Sequence, residues 1–236
     1  MNLIAHALLA NSARLNRTTN RIVNIETNCM KLWHCHDARS LRPLWTMEEM
    51  GIEYDLEVLP FPPRFFKKEF LGVNVLGTVP YFVDGETRMT ESSGICHYLV
   101  ERYNYSALSV AVDHAEYGDY LNWLYHSDAT LTFPQTIYLR YTLLEPEERK
   151  LPQAAEDYTK WYLARLRMLD QHIESREFLC DNRFTIADIA IGYALYLGKL
   201  NGFADRYTNQ VSDYLERLMQ RPAFKKSVSL TQGADF

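Results

Sequence analysis

The sequence is short of three things, and each shortage narrows its function. No apolar run approaches the roughly 20 residues that a membrane-spanning helix needs, so no membrane partner is expected. There is no basic excess: 25 Lys and Arg stand against 30 Asp and Glu, for a net charge of −5. That balance argues against a protein held to nucleic acid by charge. Cysteine is scarce, with Cys29, Cys35, Cys96 and Cys180 scattered along 236 residues and no Cys-x-x-Cys pair among them. Such a pattern suits free thiols in a reducing, cytoplasmic compartment better than a disulfide framework. Internal repeats and low-complexity runs are missing as well.

What is present is material for a core. Hydrophobic residues make up 47% of the chain and charged residues 23%, enough for one large domain or two modest ones. The first 29 residues stand apart. Asn2–Ala10 is apolar, and Arg14, Arg17 and Arg21 follow with Glu26 as the one acid. No basic stretch precedes the apolar part, which counts against a secretory signal. An upstream start or a disordered, dispensable extension is favoured over a targeting segment, with Met30 as the functional start.

From Lys31 the pattern is that of a mixed sheet. Leu32–His34 reads as a strand and Ser40–Met50 as a helix, with Leu41, Leu44, Trp45 and Met47 at helical spacing and Gly51 ending it. Ile52–Leu59 alternates as a second strand. Tyr81–Val83 and Thr87–Thr90 flank Asp84-Gly85-Glu86, a hairpin signal. A helix follows over Ile95–Tyr103. The order predicts an α/β domain over 30–104 with helices on both faces of the sheet. Asn104–Asp113 reads as a linker. Residues 113–236 then predict an all-helical domain: Glu116–Leu131, interrupted before Pro134; Ala154–Ile173, with Tyr158, Trp161, Tyr162, Leu166, Leu169 and Ile173 on one side; Thr185–Leu200; and Val211–Met219 as the last clear helix, stopped near Arg221-Pro222.

Two loops of the first domain carry recognition chemistry. Leu76-Gly77-Thr78-Val79-Pro80-Tyr81 places a Val-Pro pair between apolar runs. A cis bond before Pro80 would turn the Val79 N–H and C=O outward, where an extended peptide can pair with them. Glu91-Ser92 stands at the entry to the third helix, where Ser92 can cap and the first turn's N–H groups attract a carboxylate. Backbone pairing beside a carboxylate pocket suits a small charged peptide. Downstream, Thr185 and Asp188 form a capping box with Asp in the place of Glu, opening the apolar helix Ile189–Leu200.

Taken together, Gly77-Thr78-Val79-Pro80, Glu91-Ser92 and Phe184-Thr185-Ile186-Ala187-Asp188 resemble the glutathione transferase superfamily from Met30 to about Ala223. The resemblance implies a thioredoxin-like N-terminal domain, a helical C-terminal domain and glutathione as co-substrate. It implies that Thr78, Val79, Pro80, Glu91 and Ser92 bind glutathione, with Glu91 taking the ammonium. Arg64, Lys67 or Lys68 could meet the glycyl carboxylate. The activity implied is a detoxifying transfer of the glutathione thiolate to a hydrophobic electrophile, in a cytoplasmic homodimer with Tyr98, Arg102 and Tyr103 on an exposed face. The alternative is a non-catalytic or thiol-redox binding protein of the same fold, because fold does not fix function.

The turn His34-Cys35-His36-Asp37-Ala38-Arg39-Ser40 is where such a family activates the thiol, and this chain departs from the family's patterns there. Ser40 is the nearest hydroxyl, and with Arg39 and the helix N-terminus it is the expected activator; Cys35 is the remaining candidate. Metal binding by this turn is not expected, since neighbours on a strand point to opposite faces. For the electrophile, the aromatic and Thr-rich stretch Glu116–Tyr141 suggests a wall, with Trp123, His126 and Thr130 as its candidates.

Overall fold

A computed structural model describes residues 30–230, so the extension expected over residues 1–29 lies outside the described residues. Strand β1 (Lys31–His34) is flanked on both sides, which explains why Leu32, Trp33 and His34 are all buried. It pairs in parallel with β2 (Asp55–Val58) and antiparallel with β3 (Tyr81–Asp84), and β3 pairs with β4 (Thr87–Met89). The order is β2-β1-β3-β4. β2 starts later than the alternation predicts because Ile52 closes the preceding helix, its N–H donating to Met47 O. Helix α1 (Leu41–Met50) ends at Gly51, whose φ of 64° suits a residue without Cβ. A short helix α2 (Pro63–Phe66) leads toward the Val79 loop, and α3 (Ser92–Arg102) completes the first domain.

The second domain is helical. Helix α4 (Tyr117–His126) does not break before Pro134: it passes through a π-helical segment, Ser127–Thr132, into α5 (Phe133–Leu139) and a second π segment, Arg140–Leu144. The wide turn ahead of Pro134 absorbs its missing N–H. The carbonyl of Ser127 also takes side-chain donors, the Thr132 hydroxyl at 2.7 Å and an Arg42 nitrogen at 3.3 Å. In α6 (Pro152–His172) Tyr162, Leu166 and Leu169 face inward as predicted, but Trp161 is half-exposed and stacks on Tyr158 with centroids 5.7 Å apart. Helix α7 (Ile186–Leu200) runs through the middle, buried from Ile186 to Gly198. After α8 (Asn209–Met219) the chain forms one more helix, α9 (Pro222–Ser229). Pro222 opens that helix rather than ending the fold, a role its missing N–H permits at the first position.

The two domains share one core. Trp45 of α1 meets Phe184 at 5.8 Å and Phe224 of α9 at 4.9 Å. Gly192 lets α7 come this close: a Cβ there would stand 3.3 Å from the Trp45 ring and 2.9 Å from Leu218. Arg221 caps the junction, donating to Glu49 at 2.6 and 2.8 Å while lying 3.6 Å over the Phe184 ring. Arg221 is partly solvent-exposed, so such a cation–π contact contributes about 1 kcal/mol.

The capping box read from the sequence is formed. The Thr185 hydroxyl accepts from Ala187 N–H at 3.2 Å, and Thr185 N–H donates to Asp188 Oδ2 at 2.8 Å. Asp188 also accepts from Leu179 N–H at 3.0 Å and the Tyr214 hydroxyl at 2.8 Å. Burial pushes its carboxyl up to about 6 despite these donors. The Thr185 hydroxyl is a fourth donor to this carboxylate, at 3.3 Å, and replacing Asp188 by Ala, which strands all four, is expected to cost about 3 kcal/mol in urea denaturation. In the wild type the Asp188 contribution should fall as pH rises from about 4 to about 6, since the folded form holds its proton longer than the unfolded chain. Asp188→Asn should remove that fall; a variant curve parallel to wild type would contradict the assignment.

Candidate active-site cleft between the two domains

A cleft of about 580 Å³ lies between the sheet domain and the helical domain. One end is polar. The Val79–Pro80 peptide is cis, as is Phe61–Pro62. Thr78 and Val79 line the cleft, and Pro80 is buried directly behind them. The loop is fixed by Asn74, whose amide donates to Thr78 O at 2.8 Å and whose oxygen accepts from Leu76 N–H at 3.1 Å. Gly77 turns it with φ 57°, and a Cβ there would come within 2.7 Å of Arg64. Thr90 and Glu91 border the same end, just ahead of α3.

Ser92 behaves differently from the expected helix cap. Glu91 is the N-cap residue, and the buried Ser92 hydroxyl accepts from Arg42 at 2.9 Å. Arg42 is the residue that sequence reasoning missed. It sits fully buried on α1, and all five of its N–H groups have acceptors. Nε donates to Ala190 O at 3.1 Å, Nη1 to Ser92 Oγ and to Asp128 Oδ1 at 2.6 Å, and Nη2 to Ser127 O and to Thr132 Oγ1 at 2.8 Å. Its plane lies 4.6 Å over the Tyr193 ring. The Ser93 hydroxyl donates to Asp128 Oδ2 at 2.6 Å. Burial alone would raise the Asp128 carboxyl; the charge of Arg42, the Ser93 bond and Arg39 outweigh it and hold it below the usual range. The available signal was an arginine inside an otherwise apolar helix face.

The strand-to-helix turn forms the next wall, through His36, Asp37, Ala38 and Arg39. Asp37 adopts φ 56°, and the second domain holds it there. Tyr193 donates its hydroxyl to Asp37 O at 3.2 Å, and Tyr196 donates to Asp37 Oδ1 at 2.9 Å. The other carboxylate oxygen pairs with His36 Nε2 at 3.2 Å. Arg39 reaches across the cleft, donating to the Thr136 hydroxyl at 3.2 Å.

Two expected catalytic groups do not reach this wall. Ser40 is fully buried, and its hydroxyl accepts from Cys35 N–H at 3.4 Å. Cys35 is buried too, with its thiol toward Pro60 O at 3.6 Å, and burial pushes that thiol up to about 12. The reason is strand geometry: His34 and Cys35 are swallowed by the sheet and the loop behind it, and exposure begins at His36. His34 is pushed down to about 4 by the same desolvation.

The expected electrophile residues also lie elsewhere. Trp123 is buried in the helical domain between His126 at 5.4 Å and His172 at 5.0 Å. His126 is half-buried there, its ring pushed down by desolvation and by Arg165. Thr130 stands two residues before Thr132 and so on a different side of the helix. The wall is built by Thr132, Thr136, Leu139 and Leu143, one step further along the rod, facing Leu197 and Leu200 of α7. Arg64 borders the cleft at its mouth, and Lys67 and Lys68 do not.

The family description "Glutathione S-transferase, N-terminal domain" matches residues 38–102, and "Glutathione S-transferase, C-terminal domain" matches residues 134–222. The chain belongs to the glutathione S-transferase family. Glutathione S-transferase F9 of Arabidopsis thaliana is 25% identical over 217 residues, covering 85% of this chain and 96% of the relative. Glutathione S-transferase 3 of Schizosaccharomyces pombe is 24% identical over 215 residues, covering 81% and 84%. Among solved structures, the glutathione transferase URE2P6 of Phanerochaete chrysosporium, in complex with oxidized glutathione, superposes with a TM-score of 0.74 at 25% identity, covering 86% of this chain and 96% of that one. A glutathione transferase of Methylococcus capsulatus gives 0.76 at 23%, covering 86% and 98%, and supports the fold.

The burial of Cys35 has a direct readout. In native protein at pH 7.5, iodoacetamide should leave Cys35 unmodified in peptide mass spectrometry, because the thiolate is the reactive form. Rapid labelling of Cys35 in the folded state would contradict its placement.

Proposed function

We propose that the protein is a glutathione transferase that activates the glutathione thiol and directs it at a hydrophobic electrophile. The γ-glutamyl carboxylate would rest on the free N–H groups of the first turn of α3, with its ammonium on Glu91. The cysteinyl backbone would pair with Val79, and the glycyl carboxylate would meet Arg64. The thiol then points to the His36–Arg39 turn. Its proton leaves to solvent, the sulfur lone pair forms the carbon–sulfur bond, and the displaced pair departs with a leaving group or moves into a conjugated acceptor.

The observation that carries this reading is Arg39. Its guanidinium borders the cleft between the polar end and the leucine wall, held at 3.2 Å by Thr136. A fixed cation there favours thiolate over thiol. Ser40 drops out as activator, because its hydroxyl is buried against Cys35. One observation favours a second reading, a glutathione-binding protein without transferase activity: neither Ser40 nor Cys35 offers a group to the cleft. The thiol-redox variant of that reading is weakened by the buried, high-pKa Cys35.

The test is Arg39→Gln. The pH profile of kcat should move up by about one unit, the equivalent of ~1.4 kcal/mol of thiolate stabilisation, while the calorimetric affinity for glutathione stays within a few-fold. Ser40→Ala should leave the profile in place. An unmoved profile in Arg39→Gln removes Arg39 from activation, and failure of the wild type to bind glutathione removes the whole reading.

The same reading includes a cytoplasmic homodimer. Cys35, Cys96 and Cys180 are free and buried, in keeping with a reducing compartment. No helix among the described residues is long and apolar enough to cross a membrane. Beside α2 the first domain exposes Phe66 at 68% and Val75 at 87%, apolar surface that a second copy would cover. Tyr98 and Tyr103, expected on the dimer face, both donate to Asp84 Oδ2, at 2.8 and 2.7 Å. Light scattering at micromolar concentration should give twice the chain mass; a monomer would exclude the dimer.

A further inference from the structure

We infer that the second substrate carries an unbranched aliphatic chain, and that the cleft is built for S-alkyl rather than S-aryl conjugates of glutathione. The inference rests on the glutathione reading above and goes further, to the shape of the electrophile. The helical side of the cleft is lined by leucines in two rows. Leu139 and Leu143 stand four apart along α5 and its π extension, and Leu197 and Leu200 stand three apart on α7. Side chains at these spacings share a helix face. Two such rows leave a furrow between them.

One end of the furrow is tied. The Gln135 amide donates to Leu131 O at 3.0 Å and to Ala194 O at 2.9 Å, and its oxygen accepts from Asn201 at 3.2 Å, so the start of α5 is bonded to α7 and to the residue just past its end. The furrow also runs out to solvent. Leu143 is 71% exposed and Leu200 46%, and across the mouth Leu76 is 58% exposed. An apolar strip continuing to the rim has no use for a compact ligand confined to the interior, and it is covered only by one that extends along it.

Rings are scarce in this wall. Apart from His36, the residues bordering the cleft include two aromatic side chains, Phe61 at the mouth and Tyr193. Arg42 lies over Tyr193 at 4.6 Å, and the Tyr193 hydroxyl is taken by Asp37 O. Stacking, which rewards a planar aromatic substrate, is therefore poorly provided, while leucine side chains offer dispersion contact along the whole length of a chain.

The test is binding, so it needs no turnover. The Kd of S-methyl-, S-butyl-, S-hexyl- and S-octylglutathione is measured by calorimetry, with S-benzyl- and S-(2,4-dinitrophenyl)glutathione as aromatic comparators. Affinity should rise by up to about fourfold per methylene, the fold-change equivalent of ~0.8 kcal/mol for a buried CH₂, and S-hexyl should bind more tightly than either aromatic conjugate. Leu143→Ser and Leu200→Ser, both at exposed positions, should flatten the rise for the longer members. Glutathione itself, measured alongside, reports the polar end. A flat alkyl series with glutathione still bound overturns this inference alone, and so does tighter binding of an aromatic conjugate than of S-hexyl. No binding of glutathione or of any conjugate overturns the glutathione reading and this inference with it.

Discussion

A single buried guanidinium holds the geometry of this protein together. Arg42 lies where α1, α3, α7 and the first π segment converge, and each of its five N–H groups is answered by a different oxygen. Burying such a charge is tolerable only when it is paired and fully bonded. The acceptors come from both domains: Ser92 from the first, and Ser127, Asp128, Thr132 and Ala190 from the second. The relative position of the domains, and with it the width of the cleft, is therefore fixed by donor–acceptor geometry as well as by apolar contact. The Trp45, Phe184 and Phe224 cluster supplies area, and the arginine supplies registration.

The π-helical segments follow from the same constraint. A regular α-helix through residues 117–144 would have to place Pro134 in its interior, without a π turn ahead of it to accommodate the missing N–H. The wide turn accommodates Pro134, and within it the Ser127 carbonyl also accepts from Arg42 and the Thr132 hydroxyl. It also shifts which residues face the first domain, bringing Thr132, Thr136, Leu139 and Leu143 to the cleft.

Much of the architecture was legible in the sequence because it rests on local rules. Leu41, Leu44, Trp45 and Met47 repeat at helical spacing, Asp84-Gly85-Glu86 signals its hairpin, and Thr185 and Asp188 cap α7 as their spacing requires. The Thr78–Val79 loop and Glu91 border one cleft, as the resemblance implied. The failures share a cause. Whether Ser40 and Cys35 face ligand or core depends on the loop packed behind them, which no local pattern encodes. Trp123, His126 and Thr130 were picked by chemical type, but the cleft is walled by the part of the rod that follows the π segment Ser127–Thr132, whose register no local pattern encodes. Trp161 looked like core by periodicity and instead covers surface with Tyr158. Arg42 was passed over because a lone charge in an apolar helix has no partners in sequence; they lie 50 to 148 residues away.

The turn at Asp37 and Arg39 belongs to the first domain by chain position and to the second by bonding. Tyr193 and Tyr196 hold Asp37 in its left-handed conformation, and Thr136 holds Arg39. The boundary between the halves is thus not a place where the molecule can be cut and recombined freely. A chimera joining this first domain to the helical half of a relative would inherit the strand, the loop and the helix, yet lose the shape of the turn unless a hydroxyl arrived at each of those three positions. Inheritance of the fold and inheritance of the site are separate matters here, and the second requires both halves to have been selected as a pair.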